Sequence, residues 1–192
     1  MKRLLILVST LLVAVVAHAA PVEWKYDASH TRVGFSVSHL IVSSVAGRVK
    51  QANAKVVLDD ADMTKSQVSI EIAAASVDTD EPKRDDHLRS PDFFDAKKFP
   101  KLTFKSTKIV KAGNGYKLTG DLTIRDVTKS VTLDASISEP VKSPFGYAVR
   151  GAKLGGVIKR SDFGLKWNKA LEAGGVAVGD EVTLDIQVEV TK

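Results

Sequence analysis

The feature that most constrains this chain is a strict alternation near its C-terminus. Val182, Leu184, Ile186, Val188 and Val190 stand against Glu181, Thr183, Asp185, Gln187 and Glu189. A period of two puts the apolar set on one face of an extended strand and the polar set on the other. The same period returns at Val22, Trp24 and Tyr26, at Val33, Phe35 and Val37, and at Val68, Ile70 and Ile72. It recurs at Leu118, Leu122 and Ile124 and at Val131, Leu133 and Ile137. Turn signals separate the runs at Gly113-Asn114-Gly115, Ser143-Pro144-Phe145-Gly146, Gly174-Gly175 and Gly179-Asp180. Short connections of this kind join antiparallel neighbours.

Strands with one apolar face hide it either between two stacked sheets or inside a closed barrel. Gly151, Gly155 and Gly156, within the stretch 147–160, suit the sharp bending that closure requires and favour the barrel. A membrane-spanning barrel should carry aromatic girdles, and with 6% aromatic residues this chain does not fit that pattern. No stable membrane insertion is therefore expected.

One segment breaks the alternation. Residues 80–98 are crowded with charge, open with Asp80 as a helix cap before Glu81 and Pro82, and contain Arg84-Asp85-Asp86-His87-Leu88-Arg89. Ser90-Pro91 should stop that helix, and Asp92-Phe93-Phe94-Asp95 should form a second short one. The segment is expected to lie across one end of the sheet.

Composition narrows the chemistry. With 44% hydrophobic and 27% charged residues the chain is globular, and with no cysteine it has no disulfide, thiolate metal site, iron–sulfur cluster or cysteine nucleophile. Its formal charge of +5 comes from basic residues interleaved with acids, which argues against a nucleic-acid partner. The N-terminus reads as a signal peptide over residues 1–19: Lys2 and Arg3 precede an apolar run from Leu4 to Ala17, and Ala17-His18-Ala19 supplies the small residues of a cleavage site. Cleavage between Ala19 and Ala20 would leave residues 20–192 as one exported domain, with no repeat or linker.

Candidate chemistry centres on three mature histidines, His30, His39 and His87, with Asp27, Asp85 and Asp86 near them in sequence. No pair has the helical i, i+4 spacing of a metal motif, and nine residues of regular strand would place His30 and His39 on opposite faces. No metal site is expected, and no Gly-x-Ser-x-Gly stretch points to a serine nucleophile. A hydrolytic enzyme using His and Asp at the barrel mouth remains a competing class, as does a stress-related interaction module with a filled core. Arg84, His87 and Arg89 read either as a solvated helical turn, with Asp85 and Arg89 paired, or as donors to a polar head group beside Phe93 and Phe94.

Several separated stretches, in matching order, resemble the YceI-like family. They are Asp27-Ala28-Ser29-His30-Thr31, Phe35-Ser36-Val37-Ser38-His39-Leu40, Arg84-Asp85-Asp86-His87-Leu88-Arg89-Ser90 and Asp92-Phe93-Phe94-Asp95. Phe99-Pro100-Lys101-Leu102-Thr103-Phe104, Gly120-Asp121-Leu122-Thr123-Ile124 and Asp162-Phe163-Gly164-Leu165 continue the match. At Arg125-Asp126-Val127 family members commonly carry a glycine between the basic residue and the valine, a local departure at a turn.

The resemblance implies an eight-stranded antiparallel barrel of lipocalin-like shape with a helix near its mouth. It further implies binding of a long-chain isoprenoid or other amphiphilic lipid in a bacterial periplasm, with no cofactor-dependent reaction. On that reading Val33, Phe35, Val37, Phe104, Leu122 and Ile124 line an apolar channel and Phe93 and Phe94 close over it. Phe163 and Trp167 either join that lining or fill a core. Neither ligand identity nor the choice between monomer and homodimer is fixed at this level.

Overall fold

The computed structural model describes residues 20–172 and 174–192, so the signal-peptide reading of residues 1–19 lies outside the described residues. Alternation produces long strands. β1 (Val22–His39) is followed by β2 (Ser43–Val49), β3 (Ala52–Leu58), β4 (Gln67–Ala73) and the short β5 (Val77–Asp78). After α1 (Pro82–Arg89) come β6 (Lys101–Ala112), β7 (Gly115–Ile124), β8 (Val127–Ile137) and the short β9 (Val141–Lys142). β10 (Ala148–Lys159) and β11 (Val178–Thr191) complete the sheet.

All pairings are antiparallel, in the order β11-β10-β8-β7-β6-β4-β3-β1, and β11 pairs back onto β1. β2 and β3 pair with successive halves of β1, Val33 facing Val49 and Trp24 facing Val56, so together they form one interrupted stave. β5 and β9 only extend the edges, and the result is a closed eight-stranded barrel. Closure removes the exposed edges that an open sheet would leave. Among the described residues no helix is long and apolar enough to cross a membrane.

The widest shift in strand register is in β1. Asp27 pairs with Glu189, but Arg32, five residues on, pairs with Gln187, so β1 bulges outward over Ala28–Thr31. Two expectations shift slightly. The helix cap is Glu81, whose carboxylate accepts from the Lys83 N–H at 3.2 Å, while Asp80 adopts φ +60°. Gly179-Asp180 lies within β11 rather than in a turn, because Asp180 accepts from the Ser161 N–H and hydroxyl and Gly179 carbonyl accepts from Arg160.

Pro82 at the first turn and Ser90 before Pro91 bound α1 as expected. Asp92–Asp95 forms turns instead of a second helix, closed by Phe93 and Asp95 N–H groups donating to the Ser90 carbonyl. At the β7–β8 turn the left-handed conformation falls on Arg125, so Asp126 needs no glycine.

The core divides along the barrel axis. Trp24, Val56, Leu58 and Val190 pack at the end where β1 begins, and Phe93, Ile124, Phe163 and Leu165 pack at the end covered by α1. Phe104, Ile109, Leu118 and Ala135 form a cluster between them.

Candidate functional site

The inward positions of the strands surround a cavity of about 240 Å3. Val33, Phe35 and Val37 face it from β1, Phe104 from β6, and Leu122 and Ile124 from β7. Leu88 of α1, with Phe93 and Phe94 of the loop that follows, completes the wall at the helical end. The Phe35 ring fits because the neighbouring strand carries a glycine at the paired position: a Cβ on Gly47 would stand 2.5 Å from Phe35 Cζ. A second cavity of about 90 Å3 lies towards Leu58 and Val190. The two share Val56, Val68, Leu118, Leu154 and Val188, so they adjoin within one apolar barrel interior, the channel.

Phe163 and Trp167 do not line the channel. Phe163 is 1% exposed and packs with Phe93, Ile124 and Leu165, and the Trp167 ring lies 5.4 Å from that of Phe93. Both belong to the connection after β10, not to an inward strand position, so they buttress the closure from behind.

The basic residues of α1 hold the helix down. Arg84 donates from Nε to the Thr79 hydroxyl and from Nη2 to the Thr79 carbonyl, each at 2.7 Å. Arg89 donates from Nε to the Ala75 carbonyl and from Nη2 to the Val77 carbonyl, and its Nη1 meets Asp86. Asp85 does not pair with Arg89; it is buried and accepts from the Thr79 N–H and hydroxyl. His87 Nε2 lies 2.9 Å from Asp92, and its ring stands edge-on to Phe93 and Trp167. None of the three lines the channel, and both arginines already have acceptors within the chain, which differs from the head-group role read from the sequence.

Two arginines, Arg160 and Arg150, are buried without belonging to the charged run of α1. Arg160 lies against the channel wall at the α1 end, and burial lowers its pKa from the ordinary value, though a guanidinium remains charged. Nε donates to Gly179 carbonyl, Nη1 to the carbonyls of Leu165 and Trp167, and Nη2 to that of Val178. It therefore ties the loop after β10 to the start of β11. Arg150, at the opposite end, projects inward from β10 beside the smaller cavity. A parity signal was available: Ala148, Ala152, Leu154 and Ile158 are apolar on the same face.

The β1 bulge gathers a third group. His30 Nδ1 lies 2.9 Å from Asp27 Oδ2 and 3.6 Å from Glu189 Oε1. Hydrogen bonds from the Ser29 hydroxyl and from His30 hold the Asp27 carboxyl below the usual carboxylate range, and bonding to Asp27 raises the His30 pKa. Among the described residues, this is the one group of three whose ligand atoms all lie within 4.8 Å of one another. The arrangement could accept a divalent cation, but it is solvent-facing and its bonds to Ser29 suffice to cap the bulge. Spacing along a regular strand hides it, because the bulge and the neighbouring strand create it. His39 stands apart, at the end of β1 opposite Val178.

The YceI-like domain model matches residues 24–190, almost the whole barrel. The chain belongs to the YceI-like family. A UPF0312 protein of Photorhabdus laumondii is 36% identical over 167 residues, covering 86% of this chain and 87% of that protein. A Staphylococcus aureus UPF0312 protein is 34% identical over 168 residues, covering 87% and 96%.

Among solved structures, BcnA of Burkholderia cenocepacia superposes on the YceI-like barrel with a TM-score of 0.75 at 26% identity, covering 86% of this chain and 99% of that one. The Campylobacter jejuni YCEI protein gives 0.67 at 35% identity, covering 81% and 89%. A polyisoprenoid binding domain from Saccharophagus degradans shares the fold, with a TM-score of 0.59 at 15% identity over 89% of this chain and 98% of that one.

Proposed function

We propose that this YceI-like protein is an exported periplasmic carrier or store for a long-chain isoprenoid or similar amphiphilic lipid, held by burial and not transformed. The observation that carries the reading is the channel itself: two adjoining apolar cavities run along the barrel axis, lined by inward strand positions. Each methylene moved from water into such a lining contributes about 0.8 kcal/mol, so a long chain gains affinity without specific polar contacts. The name of the Saccharophagus degradans domain, polyisoprenoid binding, agrees with this use of the fold. Export rests on the basic, apolar and small-residue pattern of residues 1–19.

The test is Phe35→Asp. A carboxylate in the channel wall costs several kcal/mol to desolvate, so the variant should lose lipid binding while keeping its β-sheet circular dichroism. Undiminished binding by folded Phe35→Asp would remove the channel as the site. Export is tested by mass: the periplasmic fraction should contain a chain beginning at Ala20, and full-length protein in the membrane fraction would contradict it.

A further inference from the structure

Arg150 sets the polar limit of the channel. Its side chain is 6% exposed and reaches in beside Leu58, Val188 and Val190 at the end opposite α1. Among the described residues, Nε and Nη1 form no hydrogen bond, and neither does Trp24 Nε1 beside them. Asp60 Oδ1 lies 3.0 Å from Nη1, an ion-pair contact that misses the N–H direction, and the guanidinium stacks 5.4 Å from the Trp24 ring. Asp60 is itself 43% exposed and shared with Lys192. Buried guanidinium donors are ordinarily satisfied, as those of Arg160 are, and an unmatched set at the end of an apolar channel calls for an oxygen acceptor from elsewhere.

We propose that Arg150 is a ligand-binding residue that receives an anionic oxygen head group, phosphate or carboxylate, of a lipid whose chain fills the channel towards α1. The step rests on the carrier reading above and deepens it. Arg150 already lines the smaller cavity; rotation of the terminal torsions, at the loss of the Asp60 contact and the Trp24 stack, turns an edge of the guanidinium into it. A planar guanidinium edge, Nε with Nη2 or Nη1 with Nη2, matches two oxygens of one anion, which a lysine could not do. The head therefore lies deep and the tail points to the helical end.

The test uses three ligands with the same C20 chain, geranylgeranyl phosphate, geranylgeranoic acid and geranylgeraniol, titrated calorimetrically into delipidated mature protein. The wild type should bind both anions at least about tenfold more tightly than the alcohol. Arg150→Met, similar in length and uncharged, should erase that preference while leaving the alcohol within about threefold, and Asp60→Asn should strengthen both anions by freeing the fork. A preference for only one anion would assign the site to phosphate or to carboxylate.

Equal affinities for anions and alcohol in the wild type, or equal losses for all three in Arg150→Met, would overturn the assignment and leave the carrier intact. Binding of the anions alone, abolished by Arg150→Met, would support Arg150 and overturn the reading that burial suffices. No binding of any of the three would overturn both. Should Arg150→Met fail to fold, Asp60→Asn still decides: anion affinities unchanged from the wild type would contradict the proposal.

Discussion

The two ends of the barrel use arginine in opposite ways. At the α1 end, Arg84, Arg89 and Arg160 place their N–H groups on backbone carbonyls, the Thr79 hydroxyl or, for Arg89 Nη1, the Asp86 carboxylate, and in doing so fasten α1 and the loop after β10. At the other end Arg150 donates to no backbone carbonyl; its contacts are a stacked indole and one half-exposed carboxylate. The difference teaches that burial of a charge says little about its role until its donors are accounted for. A fully bonded guanidinium is a clasp, and a buried one with idle donors is available to a ligand.

The largest effect should come from cutting the clasp. Arg160→Met leaves the carbonyls of Gly179, Leu165, Trp167 and Val178 without their donor, and we expect a loss of about 3 kcal/mol or more in denaturant unfolding. Arg150→Met replaces a poorly bonded buried charge with an apolar side chain and should be neutral or stabilising by about 1 kcal/mol. Similar destabilisation by both substitutions would break the comparison.

Next in size is Arg84→Ala. Loss of its two bonds to Thr79 should cost about 1 to 3 kcal/mol in stability. Its effect on lipid affinity should be the same for charged and neutral chains, since its donors hold α1 rather than a ligand. A selective loss for the charged chain, read by the same calorimetry, would restore the head-group role to the helix.

These contrasts also show how far the sequence could be read. Period-two alternation places Phe35, Leu122 and Ile124 on inward faces, because strand parity is a local property, whereas Phe104 rests on the family resemblance. Phe163 and Trp167 could not be sorted that way: they follow a strand, and their burial depends on how the loop is tied back by Arg160. The partners of Arg84 and Arg89 were equally hidden, since Thr79, Ala75 and Val77 become neighbours only when α1 folds back over the preceding strand. Arg150 is legible in part, as a charge on an apolar parity, but the pairing of its donors depends on tertiary neighbours that parity does not specify.

The smallest effect sits outside both ends, on the β1 bulge. His30, bonded to Asp27, should titrate above its ordinary value, and Asp27 below its own. The His30 contribution to stability is therefore present below its unfolded pKa and fades as pH rises through the raised folded one. The Asp27 contribution is present above its unfolded pKa and fades as pH falls through the depressed folded one. Proton NMR of the imidazole should show the raised midpoint in wild type and its return towards the ordinary value in Asp27→Asn. No change in that variant would mean the pair is not formed in solution.

The central claim, that the barrel holds a lipid by burial, is tested most directly by native mass spectrometry of freshly purified protein beside a denaturing spectrum of the same sample. The account predicts a mass excess in the native spectrum that disappears on denaturation and is recovered in the organic extract as a long-chain lipid. Identical native and denatured masses, in protein that also fails to take up added polyprenol, would contradict it.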